Sequence, residues 1–370
     1  MATYESRKVS RRDFLKLMGV AAAAAQVPAC NALPSGAYSP GASSVPQSLR
    51  IDTHHHYVPP SYAKWLDSQG ISSGGVAMPS WEKDAAVKMM NLHGIQVGML
   101  SLSTPGVHLG DPQAARAMAR AVNEFAAEVV TSGSSRFGFF ATLTLPDVEG
   151  SLVELNYALD QLHADGVILL ANSRGTYLGD TLFDPLMAEL NRRKTVVFIH
   201  PADLPGPQVP GIPPFAADFL LDTTRAVVNL YISGKLVKYP DIRFILAHAG
   251  GFVPYAVYRL ILSTLQSGDP SRRVALGLNP TQFFETELSL FRKLYFDTAL
   301  SASPTALPSL LALTGADHVT YGSDWPFSPE PLVSLFDDQL QSYSLADDQR
   351  AAVNHGTAGT LFPRLALGRS

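Results

Sequence analysis

Short apolar runs alternate with amphipathic stretches from about residue 49 onward, and this alternation is the main structural signal in the chain. Each run is four to eight residues long and rich in Val, Ile, Leu and Phe, which is typical of strands buried on both faces. The runs lie at 49–54, 96–103, 136–143, 165–172, 195–200, 243–248, 293–299 and 318–323. The pattern predicts parallel strands inside a large core.

Helical patterns fill the segments between these runs, as in DPQAARAMARAVNEFAAEVVTSG (111–133) and FDPLMAELNRRK (183–194). Eight strands, each followed by a helix, predict an α/β fold of the (β/α)₈ or TIM-barrel type. An open doubly wound sheet is the alternative. No G-x-G-x-x-G pattern follows an early strand, so that alternative gains no support as a dinucleotide-binding fold.

Composition fits a single catalytic domain over residues 49–366. Of the 370 residues 46% are hydrophobic and 16% charged, which suits a compact protein and not a disordered one. The net charge is −4, and residues 1–30 hold five basic and two acidic residues, hence +3, which leaves −7 for the remainder. The negative net charge of the chain after residue 30 argues against nucleic acid as the partner.

The N-terminal segment predicts export. SRRDFLK (10–16) matches the twin-arginine pattern, and the apolar LMGVAAAAAQV after it is too short to span a bilayer. Residues 1–30 are therefore interpreted as a twin-arginine signal peptide that directs the protein to the periplasm or cell envelope, and residues 31–48 as a flexible Ser/Pro/Gly linker. VPAC (27–30) is either a poor lipobox with a lipid anchor on Cys30 or an ordinary cleavage site. A lone cysteine excludes a disulfide framework.

Ligand-type side chains stand where the predicted strands end. The first run ends in His54, His55 and His56, the fifth in His200 and the sixth in His248, and the eighth leads to Asp324. In a barrel these ends meet at one face, and alternation along a strand turns His54 and His56 inward together. Each residue alone has an ordinary explanation, such as a core histidine or, for Asp324, a helix N-cap. Together they predict a divalent metal site with room for water or substrate.

Several longer motifs carry a family resemblance. They are D-x-H-x-H (52–56), FDPLMAELNRRKTVVFIHP (183–201), AHAGGFVPYAVYR (247–259), YFDTA (295–299) and YGSDWPF (321–327). The chain resembles the amidohydrolase superfamily over most of residues 50–362. Within it, the likeness is to the branch with 2-amino-3-carboxymuconate 6-semialdehyde, γ-resorcylate and 6-methylsalicylate decarboxylases.

The resemblance implies a single Zn²⁺ or Mn²⁺ held by His54, His56, His200 and Asp324. It implies His248 and Asp324 as the catalytic groups: either the acid form of Asp324, which is slightly favoured, or water served by His248 protonates the carbon that loses carbon dioxide. The expected activity is non-oxidative decarboxylation of a small aromatic or enoic acid, with a salicylate-like substrate favoured. A metal-dependent hydrolase of a lactone or amide, and a non-catalytic metal binder, are the alternatives.

The chain also departs from that branch. The carboxymuconate enzyme has an arginine between its first strand and first barrel helix, but residues 51–115 here contain none, and its tryptophan after the strand-five His-Pro is Ala202. These differences favour a monocarboxylate with an apolar body. Arg259 matches a family arginine that is offered to a neighbouring subunit, which implies a homodimer; an ordinary surface position is the other reading.

Other candidates follow from their positions after strands. Asp297 ends the seventh run and either orients a ligand or substrate or has a structural role. His108, Asn172, Arg174 and Trp325 are candidate substrate-binding residues at the mouth. For these four the alternatives are a surface-loop position for His108, loop shaping for Asn172 and Arg174, and core packing for Trp325.

Overall fold

The computed structural model describes residues 49–132, 135–266 and 270–367. The predicted signal peptide (1–30), the linker (31–48) and the lipid site at Cys30 lie outside the described residues. Within them, eight parallel strands form one sheet. In chain order they are β1 Arg50–His56, β2 Ile95–Ser101, β3 Phe137–Thr142, β4 Gly166–Leu170, β5 Val196–His200, β6 Arg243–Leu246, β7 Tyr295–Asp297 and β8 Val319–Thr320.

Each strand pairs with the next one along the chain, and the last approaches the first. The backbone N–H of Thr53 donates to the carbonyl of Tyr321 at 2.9 Å, and a parallel bridge joins Asp52 to Tyr321. The sheet is thus a nearly closed barrel, which confirms the (β/α)₈ prediction over the doubly wound alternative.

Helices cover the outside of this barrel. They are α1 Pro60–Gln69, α2 Lys83–Leu92, α3 Pro112–Ser132, α4 Val148–Asp160, α5 Asp184–Arg192, α6 Asp218–Ile232, α7 Lys235–Lys238, α8 Val253–Ile261, α9 Pro270–Leu278, α10 Pro280–Phe291, α11 Leu307–Leu313, α12 Glu330–Ser342, α13 Asp347–Ala351 and α14 Thr357–Leu361. The amphipathic stretches at 111–133 and 183–194 correspond to α3 and α5. None of the helices in the described part of the chain is long and apolar enough to cross a membrane.

Shorter helical turns connect several of these elements. The 3₁₀ turns are Thr181–Phe183, Pro214–Ala216, His248–Gly250, Leu262–Gln266, Ala316–His318 and Pro363–Leu365, and one π-helical turn spans Ala352–Gly356. After β4 the chain forms a small antiparallel hairpin, in which Asn172–Ser173 pairs with Thr176–Tyr177. We refer to it as the 172–177 hairpin.

A compact apolar cluster fills the barrel interior below the strand ends. Its members are Ile51, Val97, Met99, Phe140, Ile168, Val196, Phe198, Ile245, Ala247, Ala358, Leu361, Phe362 and Leu365. The last four come from α14 and the turn after it, so the C-terminal segment closes the interior on one side. The polar strand ends therefore occupy the other side, where α/β barrels place their active sites.

The first strand is irregular, and this irregularity sets the direction of its histidines. Ile51 belongs to the interior cluster, so strict alternation would place residues 53 and 55 inside as well. The pairing of β1 with β2 shifts between Asp52 and His55. After that shift His54 and His56 face the interior, whereas His55 contacts Trp325 on another side. A β-bulge of this kind re-aims side chains next to functional sites.

Candidate metal centre and substrate cavity

The four predicted ligands converge at the mouth of the barrel. One ligand atom each from His54, His56, His200 and Asp324 lies within 4.8 Å of the other three, and all four residues are buried. Nε2 of His54 lies 3.0 Å from Nε2 of His56. The Asp324 Oδ1 atom lies 3.2 Å from the first of these nitrogens and 3.1 Å from the second.

In two of the three rings, a hydrogen bond from Nδ1 shows that the nitrogen facing the cluster carries a lone pair. Nδ1–H of His56 donates to the Ser101 carbonyl at 3.1 Å, and Nδ1–H of His200 donates to the Pro201 carbonyl at 2.8 Å. A carbonyl only accepts, so both rings present an unprotonated Nε2 to the cluster. These two imidazoles, together with His54 and the carboxylate of Asp324, form a donor set that fits a divalent cation.

The charges of the cluster are also consistent with the binding of a divalent cation. Burial lowers the pKa of His54, but the carboxylates of Asp297 and Asp324 more than compensate and raise this pKa to about 10. Burial and the neighbouring His54 lower the pKa of His56, and burial together with the other histidines places the pKa of His200 well below its usual value. Two buried carboxylates among imidazoles thus create a site that attracts positive charge.

The Asp324 side chain is held as a carboxylate. Burial raises its pKa, but contacts with His248, His54 and His56 outweigh this effect and leave the pKa well below the usual value of a carboxyl group. Its backbone is fixed as well, because the Asp324 N–H donates to the carbonyl of His54 at 2.8 Å. An ionised carboxylate in this position is better suited to bind a metal ion than to donate a proton.

Asp297, at the end of β7, forms hydrogen bonds that hold His54 and the backbone of His248 in place. Its Oδ2 accepts Nδ1–H of His54 at 2.7 Å, and its Oδ1 accepts the backbone N–H groups of His248 and Ala299 at 2.9 and 3.0 Å. One buried carboxylate thus orients a predicted ligand and positions the residue predicted to carry protons. Carboxylate–histidine pairs of this kind fix the ring tautomer and increase the basicity of the ligand nitrogen.

Replacing Asp297 with asparagine will weaken metal binding by about 10- to 100-fold, because the substituted amide no longer enforces the His54 tautomer. The measurement is a metal titration of the apo variant followed by calorimetry. Asp337→Asn is the matched control, because Asp337 accepts Nδ1–H of His93 at the same 2.7 Å but outside the ligand cluster. Equal metal affinities in both variants would contradict this role for Asp297.

His248 lies beside the cluster without joining it. Its Nε2 is 3.8 Å from Oδ2 of Asp324, and its buried Nδ1 has no hydrogen-bond partner among the described residues. Its backbone φ of 55° is unusual for a residue with a side chain, and the Asp297 hydrogen bond to its N–H helps to hold it there. The ring is therefore positioned next to the ligands with a ring nitrogen free for proton exchange.

Asp52 has a role that the sequence did not reveal. Its Oδ1 accepts the N–H groups of His54 and Ser323, at 3.1 and 3.0 Å, and its Oδ2 accepts the Ser323 hydroxyl and Nδ1–H of His55, at 2.5 and 3.1 Å. This carboxylate joins the irregular part of β1 to the segment that carries Asp324. It therefore stabilises both sources of ligands.

A cavity of about 580 Å³ lies on the β2–β5 side of the mouth, and its wall does not include the four predicted ligands themselves. Leu102 follows Ser101, Leu170 pairs with His200, and Ala202 lies two residues after His200, so the cavity wall begins next to the ligands. The wall is mainly apolar, including Val107, Leu143, Leu145 and Ile168. Among the substrate-binding candidates, the cavity brings together His108, Asn172 and Arg174.

The remaining candidates lie elsewhere. Trp325 packs against His55 with ring centroids 5.2 Å apart and does not line this cavity; the ring that faces the ligand His56 is that of Phe327, also at 5.2 Å. Arg259 is exposed in the last turn of α8 and does not line the cavity either. The Asn172 amide forms hydrogen bonds within the protein: it donates to Asp222 and accepts the N–H of Gly175.

Comparison with known proteins gives two family matches. The family described as Amidohydrolase matches residues 51–364, and the twin-arginine translocation pathway signal sequence matches residues 8–28. The first match spans the barrel from the second residue of β1 onward and includes all four predicted ligands. The second lies in the segment predicted to be an export signal.

Individual relatives cover most of the chain. It is 35% identical to the 6-methylsalicylic acid decarboxylase of Penicillium expansum over 85% of this chain and 97% of that protein. It is 34% identical to the decarboxylase yanB of Aspergillus niger, over 86% of this chain and 88% of that one. A solved dihydroxybenzoic acid decarboxylase from Polaromonas sp., with bound manganese and 2-nitroresorcinol, has a TM-score of 0.70 at 22% identity, over 85% of this chain and 97% of its own.

Proposed function

The chain belongs to the amidohydrolase family, and from that premise we propose that it is a metal-dependent decarboxylase of a small aromatic carboxylic acid, with a salicylate-like acid as the favoured substrate. The observation that carries the proposal is the convergence of His54, His56, His200 and Asp324 beside a mainly apolar cavity. Relatives of 34–35% identity that are named decarboxylases support the same reaction class.

The reaction exchanges one bond for another. The bond between the ring carbon and the carboxylate breaks, carbon dioxide leaves, and the electron pair left on the ring carbon takes up a proton. A divalent ion held by the four ligands would supply positive charge to the carboxylate and neighbouring hydroxyl oxygens of the acid. The apolar cavity wall orients the ring, and the aromatic side chains of Phe198 and Phe327 beside His54 and His56 exclude water.

We assign the proton transfer to His248. Its buried Nδ1 has no partner among the described residues, and its Nε2 faces Asp324. An imidazole can both accept and donate a proton at its ring nitrogens, whereas Asp324 is held as a carboxylate by its contacts with histidines. Of the two catalytic groups predicted from the sequence, His248 is thus the proton carrier and Asp324 the metal ligand.

The identity of the ion belongs to the proposal as well. Three imidazoles and a carboxylate suit Zn²⁺ and Mn²⁺, and the solved Polaromonas neighbour contains manganese. We propose one of these two ions, and metal analysis of the protein purified from its own host identifies which.

The location of the protein follows from its N-terminal segment. The twin-arginine signal over residues 8–28 supports export by that route. We propose the periplasm or the cell envelope as the destination. Lipidation at Cys30 stays a prediction from the sequence alone.

We also propose a homodimer. Large apolar side chains are exposed on two elements that follow each other in the chain: Tyr255 (85% exposed) and Tyr258 (57%) on α8, and Leu278 (81%) on α9. Exposed apolar surface is typical of interfaces when it is contiguous. Arg259 lies on the same helix, α8, from which it would reach a neighbouring subunit.

Sedimentation of the protein will give about twice the 39.7 kDa mass of one chain. Replacing Tyr255 and Tyr258 together with glutamate will produce monomers, because two carboxylates cannot be buried in an apolar interface without partners. Leu92→Glu, at a residue 63% exposed on α2, is the control that leaves the mass unchanged. A monomer in the unaltered protein would contradict the proposal.

The decarboxylase assignment is tested by product identification. Metal-loaded protein is incubated with salicylate-type acids and, in parallel, with lactones and amides, and the products are identified by mass. The proposal predicts that an acid loses the mass of carbon dioxide, that a chelator abolishes the reaction and that Asp324→Ala does the same. Addition of water to a lactone, with every acid unchanged, would assign the chain to the hydrolases instead.

A further inference from the structure

The 172–177 hairpin presents a cation in an unusual turn. Arg174 and Gly175 form the two central residues of this tight hairpin, with φ values of 52° and 87°. Turns that need positive φ at both positions favour Asn-Gly, and a residue such as arginine rarely adopts the first position. A strained residue of this kind at the mouth of a cavity points to a functional reason for its retention.

A buried carboxylate holds this turn in place. Asp222, fully buried in α6, accepts hydrogen bonds from the Asn172 amide at 2.9 Å, the Tyr177 hydroxyl at 2.8 Å and the Ala202 N–H at 2.9 Å. Asn172 in turn accepts the N–H of Gly175 at 2.9 Å. Burial raises the pKa of Asp222, and these donors oppose that effect. The network ties the hairpin to the segment that follows the ligand His200.

Arg174 lines the cavity with an exposed side chain that has no acceptor within the described part of the chain. Among the residues that the structure describes, none forms a hydrogen bond or ion pair with it. Asp203 also lines the cavity, but its carboxylate is not within ion-pair distance. The Arg174 Nη1 atom lies 3.6 Å from the point that a Cβ on Gly110 would occupy, so the side chain extends to the loop after β2. Five N–H donors at the edge of an apolar cavity suit an oxygen-bearing ligand.

We propose that Arg174 determines substrate specificity: it binds a second oxygen-bearing group, a hydroxyl or a carboxylate, at the end of the aromatic acid remote from the metal ligands, and Asp222 positions it. This inference rests on the proposed function. The sequence analysis expected a substrate with an apolar body, because residues 51–115 lack the arginine that binds a substrate carboxylate in the carboxymuconate enzyme. Under this inference, Arg174 supplies such a cation from a different loop, so the substrate carries a second polar group. The hairpin thereby selects among ring-substituted acids.

The test compares acids that differ only at the outer end of the ring. For the metal-loaded protein, kcat/KM and equilibrium Kd are measured with 2-hydroxybenzoate and with its 4- and 5-hydroxyl and carboxyl derivatives. The unaltered protein will prefer at least one oxygenated member. Arg174→Ala will reduce that preference by roughly 10- to 100-fold, because charged hydrogen bonds contribute that much. The values for 2-hydroxybenzoate itself will change less than about threefold, because that acid has no group for Arg174.

Three further variants separate specificity from general damage. Arg174→Lys will keep part of the preference, because it retains the charge without the planar donors. Arg192→Ala, which removes a charge paired with Glu189 on α5, will leave the preference unchanged. Asp222→Asn will lower the preference in the unaltered background, and it will not lower it further when Arg174 is already alanine.

The outcomes distinguish this inference from the proposed function. The inference is wrong and the proposed function stands if acids are decarboxylated but Arg174→Ala leaves the preference intact. The same holds if Arg174→Ala lowers kcat/KM equally for all acids. If no acid is decarboxylated, the inference is judged from the ratios of Kd between the oxygenated acids and 2-hydroxybenzoate. A preference that is lost in Arg174→Ala then still supports the assigned role of Arg174. Absence of any preference, or of any binding, in the unaltered protein would overturn the inference.

Discussion

Replacing His56 with glutamine will abolish carbon dioxide release and strip the metal from the protein. His56 directs an unprotonated nitrogen into the cluster, and its Nε2 lies 3.1 Å from Oδ1 of Asp324. A ligated metal contributes several kcal/mol to a reaction of this kind, so kcat/KM will fall by at least about a thousandfold. Chelation of the unaltered protein will have the same effect, and added Zn²⁺ or Mn²⁺ will reverse only the latter.

The neighbouring histidine supplies the control for this prediction. His55 is buried like His56 and adjacent to it in sequence, but its Nδ1 bonds Asp52 and its ring packs on Trp325. His55→Gln will therefore retain the metal, although the loss of packing lowers stability. His54→Ala will lose the metal while circular dichroism still shows a folded barrel. Full metal occupancy in the variants of His54 or His56 would contradict the ligand assignment.

Replacing His248 with asparagine will lower kcat by about 10²- to 10⁴-fold, the range that positioned proton transfer contributes. His248 does not belong to the ligand cluster, so metal content will stay at the level of the unaltered protein. This combination, metal retained and chemistry lost, separates a proton carrier from a ligand.

A second histidine provides the control for this prediction. His108→Asn is the comparison, since His108 also has a buried Nδ1 without a partner among the described residues but lines the cavity instead. An unchanged kcat in His248→Asn would exclude the assigned role.

The barrel itself is predictable from the sequence because its signal is local and repeated. Each buried strand shows as a short apolar run, and the helices α3 and α5 show as amphipathic stretches of almost the observed length. The ligands are predictable for a related reason: parallel strands in a barrel end at one face, so side chains at the ends of β1 and β5, and after β8, meet there.

Other features of the site depend on contacts that no local pattern encodes. Alternation correctly paired His54 with His56, but it does not show the shift in β1 pairing that separates them from the phase of Ile51. At this shift, the Asp52 carboxylate bonds the N–H groups of His54 and of the distant Ser323. Asp222 has no sequence signal at all. It occupies an ordinary helical position, and its importance arises from three partners at 20 to 50 residues of separation.

Loop residues were the least predictable part. Trp325 and Phe327 are two positions apart, and only the fold determines that the first packs on His55 and the second faces His56. Asn172 and Arg174 were both predicted at the mouth, and both line the cavity. The amide of Asn172 forms hydrogen bonds within the hairpin and to Asp222, whereas Arg174 has an exposed side chain. Such differences depend on backbone geometry, which composition does not encode.

The most direct test of the central claim follows the carboxyl carbon and the incoming proton together. A salicylate-type acid labelled with ¹³C in its carboxyl group is incubated with metal-loaded protein in D₂O, and both products are analysed by mass and NMR. The account predicts labelled carbon dioxide and a ring product with one deuterium at the carbon that carried the carboxylate, and neither product after chelation. Intact labelled acid under conditions in which a lactone is hydrolysed would contradict it.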